Sequence, residues 1–443
     1  MSKRDSGVRR LLVITYHFPP DGTVGGLRWA GLSKYLARLG WEVHVVTAAA
    51  PDGGADSANV HRHVRQRRRT LNDVYRDAMS RFRQNRAASQ KTGPPKQALQ
   101  RPRSPTARGL SMARRAVASA MYLPDHGRGW VLRAAAAARA LMQDRRFDVV
   151  VTSGPPHSAH VAGLLATRNS DTRFWIDMRD PWSITHEGHT PVDALIRAER
   201  SLLAWVERVL FPHAEKLVVN TREFASTLRS TRPKQDVVYF PNGIDLEQLP
   251  ARDPRAVEVG TIAYVGALYA GRNLSSVFAA MSALLKERPE SARTLRLNVA
   301  GPHDRAHGEQ MHESIAATGV GSVVKILGSL PRAEALDLLN RSHLALVLAQ
   351  DQCMQVPAKL YECVGLGVAT LVVAEKGSAA ACEAHRIGAM TVDGDDVEGI
   401  RAVLEDLIAG RIPTTVAPAA AISYADLAVE MDRLLRGANR PAG

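Results

Sequence analysis

The stretch from Leu11 to Thr47, LLVITYHFPPDGTVGGLRWAGLSKYLARLGWEVHVVT, holds two short apolar runs with a loop and an amphipathic segment between them. Short β-rich runs predict strands, and a 3.6-residue apolar period predicts a helix, here ending near Gly40. The stretch therefore predicts a β-α-β unit. Its first turn is rich in proline and glycine, at Pro19, Pro20, Gly22, Gly25 and Gly26.

Gly25 and Gly26 stand just before the predicted helix. Glycine lets backbone N–H groups come close to a ligand, and the helix dipole favours an anion there. A tight turn without a ligand is the alternative interpretation. The pattern is not GxGxxG, and no acidic residue follows a clean second strand to bind a ribose, so an NAD oxidoreductase is disfavoured.

The alternation of strands and helices occurs twice along the chain. It runs to about residue 245, gives way to the polar segment LEQLPARDPRAVEVG, and restarts with TIAYVGAL at residue 261. Such alternation predicts parallel sheets with helices on both faces. The predicted fold class is α/β, with two facing Rossmann-like domains and a ligand cleft at the carboxyl ends of their strands.

The positive charge of the chain is concentrated in one segment. The 443 residues carry a net charge of +14, and between His61 and Arg115 there are 16 Lys and Arg residues against two acidic residues. Within this segment RHVRQRRR and YRDAMSRFRQNR are interpreted as surface helices, and the Pro- and Gln-rich remainder as disordered. Three roles stay open: a solvated insertion, a contact with anionic lipid, and nucleic-acid binding, which the few aromatic residues disfavour.

Several classes of protein are disfavoured by composition. No run approaches the roughly 20 apolar residues that span a bilayer, and the first apolar run is too short for a signal peptide, so a cytoplasmic location is predicted. Three cysteines, Cys353, Cys363 and Cys382, indicate neither a disulfide framework nor a zinc site. No group of acidic residues or histidines in the sequence is interpreted as a metal site, so no metal is expected.

Two predicted strand ends in the first half carry polar residues. His157 follows a strand in TSGPPHSAH and is expected to face the cleft, although a lone histidine is more often structural. Asp177, Arg179 and Asp180 follow a strand in IDMRDPW. They form either a salt-bridged strand end or a site that orients a polyhydroxylated ligand.

In the second half, Gly266 ends a strand and Arg272 follows six residues later, as suits a cation that binds a diphosphate. In QVPAKLYECVGLG, Lys359 and Glu362 lie i,i+3 on a helix that starts after Pro357. A lysine near a helix N-terminus indicates a bound anion, and the carboxylate can accept two ribose hydroxyls. A surface ion pair between the two is the alternative.

These motifs, together with FPNGID and in this order, resemble glycosyltransferase family 4, especially its bacterial polysaccharide and cell-surface branch. The resemblance covers nearly the whole chain except residues 61–118. It implies a GT-B fold, a nucleotide-diphospho-sugar donor, and retaining transfer that needs neither metal nor cofactor. It also implies a hexosyltransferase acting on a lipid-linked or small-molecule glycan acceptor, with no nucleic acid involved.

The resemblance assigns roles to residues. Gly25 and Gly26 would border the donor phosphates and the acceptor, and Glu362 would bind the ribose. The other predicted nucleotide-sugar contacts are Gly266, Arg272, Gly328 and Lys359, and the predicted catalytic residues are His157, Asp180, Arg272 and Lys359. Two family positions differ, since an expected glutamate falls at Met354 and an expected arginine at Ala267.

The implied domains are an N-terminal acceptor domain, residues 1–240, and a C-terminal donor domain, residues 241–415. The first includes the basic insertion 61–118, and a closing helix at 420–440 packs back on it. Through the insertion the protein would bind the inner face of the cytoplasmic membrane. The alternatives are a nucleotide-sugar 2-epimerase of similar architecture and a non-catalytic GT-B-like binding protein.

Overall fold

The computed structural model describes most of the chain, namely residues 7–20, 24–48, 59–68, 125–184, 194–268, 271–303, 305–418 and 422–437. Within these residues, strands and helices build two separate parallel sheets. The predictions for residues 69–118 lie outside the described residues.

The first sheet has seven parallel strands in the order β3-β2-β1-β4-β5-β6-β7. Its strands and the helices between them are β1 (Arg9–Thr15), α1 (Val24–Arg38), β2 (Trp41–Thr47), β3 (Val60–Val64), α2 (Val131–Asp144), β4 (Val149–Gly154), α3 (Ser158–Thr167), β5 (Arg173–Met178), α4 (Ala194–Leu210), β6 (Lys216–Val219), α5 (Arg222–Thr231) and β7 (Val237–Tyr239).

The second sheet has six parallel strands in the order β10-β9-β8-β11-β12-β13. Its elements are β8 (Glu258–Val265), α6 (Ser275–Glu287), β9 (Arg296–Ala300), α7 (Arg305–Thr318), β10 (Val324–Gly328), α8 (Arg332–Arg341), β11 (Ser342–Leu348), α9 (Ala358–Gly365), β12 (Ala369–Val373), α10 (Ala379–Arg386), β13 (Met390–Val392) and α11 (Val397–Ile408). A last helix, α12 (Tyr424–Leu435), follows.

The central strands are apolar on both faces because helices cover both faces of each sheet. In β1, Leu11 and Val13 pack with residues of α1 and α12, whereas Leu12 and Ile14 pack with residues of α2 and α3. All four side chains are fully buried. The predicted fold class, a GT-B arrangement of two Rossmann-like halves, is confirmed.

One secondary-structure prediction was wrong. The start of RHVRQRRR was predicted as a surface helix, but residues 60–64 form β3, which pairs in parallel with β2. The backbone pairing continues beyond the strand, where the Arg65 N–H donates to the Thr47 carbonyl oxygen at 2.8 Å. Backbone pairing with the edge of β2 thus determines the structure of residues 60–64, and their own charge pattern does not.

The chain crosses between the two halves twice, and the crossings touch. The Ile244 N–H donates to the Ile422 carbonyl oxygen at 2.8 Å, and the Tyr424 N–H donates to the Ile244 carbonyl oxygen at 2.9 Å. After the second crossing, α12 packs on α1, and the Trp41 Nε1–H donates to Asp432 at 2.7 Å. The domain boundaries at residues 240, 241 and 415 stay a prediction.

Candidate active site

A cleft of about 490 Å³ lies between the carboxyl ends of the two sheets. Both halves contribute to its walls, including His17, Gly25, Arg179, Asp180, Gly266, Arg272, Gln355, Lys359 and Glu362. A wider depression of about 700 Å³ lies at the opposite, amino-terminal ends of strands in the first sheet. Ligands of parallel α/β sheets bind at carboxyl ends, so the cleft is the candidate active site.

The two predicted glycines have different environments. Helix α1 begins at Val24, so both lie in its first turn. Gly25 lines the cleft, and a Cβ there would lie 3.2 Å from the His17 ring and 3.3 Å from the Arg179 guanidinium. Gly26 is buried, does not line the cleft, and would place a Cβ 2.9 Å from the Phe18 backbone. Gly25 thus faces the cleft and Gly26 allows close packing.

Asp177 is part of a buried network that fixes the cleft wall. Its carboxylate accepts two hydrogen bonds from Arg28, at 3.0 and 3.2 Å, and others from Trp29 at 2.8 Å and Ser153 at 2.9 Å. Arg28 also donates to the Pro241 carbonyl oxygen at 2.7 Å. The salt-bridged interpretation therefore holds for Asp177, and sequence reasoning missed its partner on α1.

Arg179 and Asp180, by contrast, both line the cleft. Arg179 is only 9% exposed, and it donates to the carbonyl oxygens of Gly154 at 3.0 Å and Pro155 at 2.7 Å. Burial lowers the pKa of Arg179. Asp180 accepts a hydrogen bond from Gln355 of the second half at 2.8 Å, so it bridges the two walls.

His157 was expected to face the cleft, and this expectation was wrong. It is 7% exposed, and its ring stacks on Trp182 with centroids 5.0 Å apart. Its Nδ1 lies 3.3 Å from Nε2 of His160. The start of α3 turns the side chain into the interior, whereas Pro155 and Pro156 line the cleft.

Two other histidines, His17 and His126, line the cleft instead. Their rings are tilted with centroids 6.2 Å apart, and burial lowers the pKa of His126. His17 follows β1 by two residues, so its position after a strand end was the available signal. His126 has no local signal, because α2 and the loop before it place it there.

The buried histidines give a pH-dependent prediction. Burial lowers the pKa of His160 to about 3 and lowers that of His157 well below its ordinary value. The unfolded chain binds these protons near pH 6.5. Stability should therefore fall as the pH drops from about 6.5, by about 1.4 kcal/mol per pH unit for each histidine. Urea unfolding at several pH values measures this slope.

His160→Asn tests the assignment, because it removes one of the two groups. Between pH 6 and 4.5, the slope of unfolding free energy against pH should then decrease by about 1.4 kcal/mol per pH unit, the contribution of one proton. His385→Asn changes an exposed histidine and is the matched control. Equal slopes in the wild type and His160→Asn would contradict the prediction.

The wall from the second half carries the predicted phosphate-binding groups. Gly266 and Ala267 follow β8 and line the cleft. Arg272 also lines it, and its Nη2 donates to Gln352 at 2.6 Å. The structure thus brings Gly266 and Arg272 together with Lys359 of α9 in one cavity. Together these groups give this wall an excess of positive charge.

Lys359 and Glu362 form an ion pair, with 2.7 Å between Nζ and Oε2. Glu362 is only 3% exposed and its Oε1 accepts a hydrogen bond from Arg332 at 2.6 Å. Its Oε2 has the nearby ammonium but no hydrogen bond of good geometry within the described part of the chain. The predicted ion pair therefore exists, but at a buried cleft wall and with one oxygen still able to accept a hydrogen bond.

Gly328 and Met354 lie outside the cavity walls. Gly328 ends β10 with φ of +68°, and its carbonyl oxygen accepts a hydrogen bond from Gly301 at 2.8 Å. Met354 is buried in the core of the first half, and its carbonyl oxygen accepts a hydrogen bond from Thr221 at 2.8 Å. The position where the family's glutamate was expected therefore joins the two halves.

A histidine cluster was not anticipated from the sequence. Glu42, His44 and His61, on β2 and β3, have ligand atoms within 4.8 Å of one another, and none of them lines the cleft. Burial alone would raise the pKa of Glu42, but hydrogen bonds from His44 and Arg10 lower it to about 2. Arg145 also lies 3.3 Å from this carboxylate. Arg10 and Arg145 already balance the negative charge of Glu42, so a structural role accounts for the cluster.

None of the helices in the described part of the chain is both long enough and apolar enough to cross a bilayer.

Comparison with known proteins identifies the fold and a family. Residues 25–243 match the model of the glycosyl transferase 4-like domain. No curated protein sequence matches the chain significantly.

Among solved structures, sucrose-phosphate synthase from Thermosynechococcus elongatus is 13% identical, with a TM-score of 0.64 over 97% of this chain and 98% of its own. A trehalose-phosphate synthase from Burkholderia xenovorans, solved with glucose-6-phosphate, is 13% identical, with a TM-score of 0.62 over 97% and 100%. HepE from Anabaena, solved with UDP and glucose, is 13% identical, with a TM-score of 0.59 over 96% and 99%. At these identities the structural similarity establishes the fold alone.

Proposed function

Residues 25–243 belong to the glycosyl transferase 4-like domain family, and from this premise we propose that the chain is a retaining, metal-independent glycosyltransferase. It transfers a hexosyl group from a nucleotide-diphospho-sugar to an acceptor hydroxyl. The observation that carries the proposal is the cleft, where Arg272 and Lys359 face Gly25 and Arg179 across the gap between two parallel sheets.

The second half binds the donor in this proposal. Arg272 and Lys359 hold the diphosphate and stabilise the charge that develops on it as the sugar–phosphate bond breaks. Their cationic groups bind the phosphate oxygens through charge-assisted hydrogen bonds, so the proposed reaction needs no divalent metal. The Oε2 of Glu362, which lacks a well-aligned hydrogen bond, accepts a ribose hydroxyl.

The first half presents the acceptor. Its hydroxyl enters beside His17 and Asp180, which line that wall. The leaving phosphate takes the hydroxyl proton, so that attack and departure occur on one face of the sugar and its configuration is retained. The hydrogen bonds from Gln355 to Asp180 and from Thr221 to Met354 join the two halves, and closure of the halves over the donor would exclude water.

The donor class and the cellular role are further parts of the proposal. A UDP-sugar is supported by the solved structure of HepE with UDP and glucose. Synthesis of a cell-surface glycan on a lipid-linked acceptor, at the inner face of the cytoplasmic membrane, is supported by the 16 basic residues between His61 and Arg115.

A ligand screen tests the proposal. Purified protein is titrated with UDP, GDP, TDP, ADP and their sugar conjugates in EDTA, and thermal unfolding is followed. A ligand at 100 times its Kd should stabilise the fold by about 2.7 kcal/mol. A folded protein that responds to no nucleotide would contradict the proposal and favour a non-catalytic binding protein. A bound sugar that changes configuration without any acceptor would instead indicate an epimerase.

A further inference from the structure

The guanidinium of Arg179 is fixed and buried in the wall of the cleft that belongs to the first half. It follows β5, is 9% exposed, and lines the cavity. Its Nε and Nη2 donate to the carbonyl oxygens of Gly154 and Pro155, at 3.0 and 2.7 Å. These two carbonyl oxygens orient the guanidinium group but do not neutralise its positive charge.

The neighbouring carboxylates, Asp177 and Asp180, act on Arg179 through their charge, but each makes its hydrogen bonds with another group. Asp177 pairs with Arg28 and accepts from Trp29, and Asp180 accepts from Gln355. Within the described residues no carboxylate oxygen lies within 4.0 Å of Arg179, and its Nη1 makes no hydrogen bond. A buried cation without a direct counter-ion is costly, so a ligand anion is the group that would complete this site.

The open side of this guanidinium is kept free by a glycine. A Cβ on Gly25 would lie 3.3 Å from Nη2 and 3.4 Å from Nη1 of Arg179. Gly25 also stands in the first turn of α1, whose N–H groups and dipole favour an anion at the same place. The helix start and the arginine, which has no direct ion pair among the described residues, are separate observations, and both favour a negative group.

We propose that Arg179 binds a phosphoryl group of the acceptor, and this inference rests on the function proposed above. The donor diphosphate has its own cations, Arg272 and Lys359, on the opposite wall. A second phosphoryl group on the side of the first half is therefore that of the acceptor. The planar fork of arginine matches a phosphate in two parallel hydrogen bonds. A soluble sugar phosphate and a lipid-linked sugar diphosphate share this chemistry.

Calorimetric titration of the full chain, first saturated with UDP, tests the proposal. The probes are glucose 6-phosphate, glucose as its neutral counterpart, and farnesyl diphosphate as a short lipid diphosphate. We expect the wild type to bind a phosphorylated probe and not glucose. Arg179→Gln should raise the Kd of that probe by roughly 10- to 100-fold and leave the Kd of UDP unchanged. Arg168→Gln, an exposed arginine at the end of α3, should change neither.

The outcomes separate the possibilities. Preference for glucose 6-phosphate identifies a soluble acceptor, and preference for farnesyl diphosphate identifies a lipid-linked one. The proposal is overturned if no phosphorylated probe binds, or if Arg179→Gln weakens UDP instead, because Arg179 would then contact the donor. If no nucleotide binds, the proposed function fails, and titration without nucleotide still tests the anion site.

A second variant covers the case in which Arg179→Gln does not fold. Gly25→Ala leaves the arginine in place but puts a methyl group 3.3 Å from its Nη2. Gly25→Ala should also weaken binding of the phosphorylated probe. Arg179→Lys retains the positive charge with fewer hydrogen-bond donors, so its Kd for the probe should be intermediate. Unchanged binding in both variants would also overturn the proposal.

Discussion

Replacing Lys359 by Gln is expected to lower kcat by about 100- to 1,000-fold, and Arg272→Gln should act similarly, because each removes a cation from the developing diphosphate charge. Lys359 lies 2.7 Å from Glu362, which keeps Arg332 as a second partner at 2.6 Å. The carboxylate therefore stays paired, and the fold should survive the change. Steady-state kinetics with the donor found in the ligand screen measures the effect.

The control is Arg341→Gln, which removes an arginine of the same half at an exposed position in α8. It should leave kcat unchanged. Glu362→Gln should mainly raise the KM of the donor, because the proposed ribose contact exists before and during the reaction. Near-normal turnover in Lys359→Gln would remove this residue from the mechanism, and the same result in Arg272→Gln would remove the proposed diphosphate site.

The largest loss of stability is expected from Asp177→Asn. This change leaves the 2%-exposed Arg28 without its counter-ion. Breaking a buried ion pair by removing one partner costs about 3–5 kcal/mol of unfolding free energy. The same network holds the 240–242 segment through the carbonyl oxygens of Phe240 and Pro241. Urea unfolding at pH 7 measures the loss of stability. Because the 240–242 segment contributes to the lining of the cleft, weaker nucleotide binding should accompany this loss.

Two controls separate lost pairing from lost packing. Asp337→Asn removes the partner of an exposed arginine on α8 and should have no measurable effect. The double variant Arg28→Met/Asp177→Leu removes both charges and should recover part of the stability lost in the single variant. A double variant less stable than Asp177→Asn would show that shape, rather than charge, dominates this site.

The two runs of alternating strands and helices could be predicted, because each element has its own pattern of consecutive residues in the sequence. The apolar run of β1 and the amphipathic period of α1 each occupy consecutive residues. Strand β3 could not be predicted in this way, since VHRHV is basic and only Val60 is buried. Its structure follows from pairing with β2, a contact that is visible only in the folded chain.

The strand end or helix start that carries each site residue could be predicted from the sequence, but the direction of its side chain could not always be predicted. Gly25, Arg272 and Lys359 were placed in the cleft by their positions after strands or at helix starts. His157 has an equivalent position, but the packing of α3 on Trp182 turns it inward, and no local pattern encodes that direction. Met354 shows the same limit, because its burial depends on a contact with the other half.

The two crossings between the halves have a mechanical consequence. Ile244 is hydrogen-bonded to the backbone of both Ile422 and Tyr424, so the two crossings of the chain are held together at one point. Because both chain connections are fixed at this point, we expect the halves to rotate about it, with the Gln355–Asp180 and Thr221–Met354 hydrogen bonds exchanged during the motion. Spin labels at Arg168 and Lys325 should shorten their separation when UDP binds, and a constant separation would argue for a rigid cleft. With such a pivot, a small turn at residue 244 becomes a much larger displacement at the mouth of the cleft.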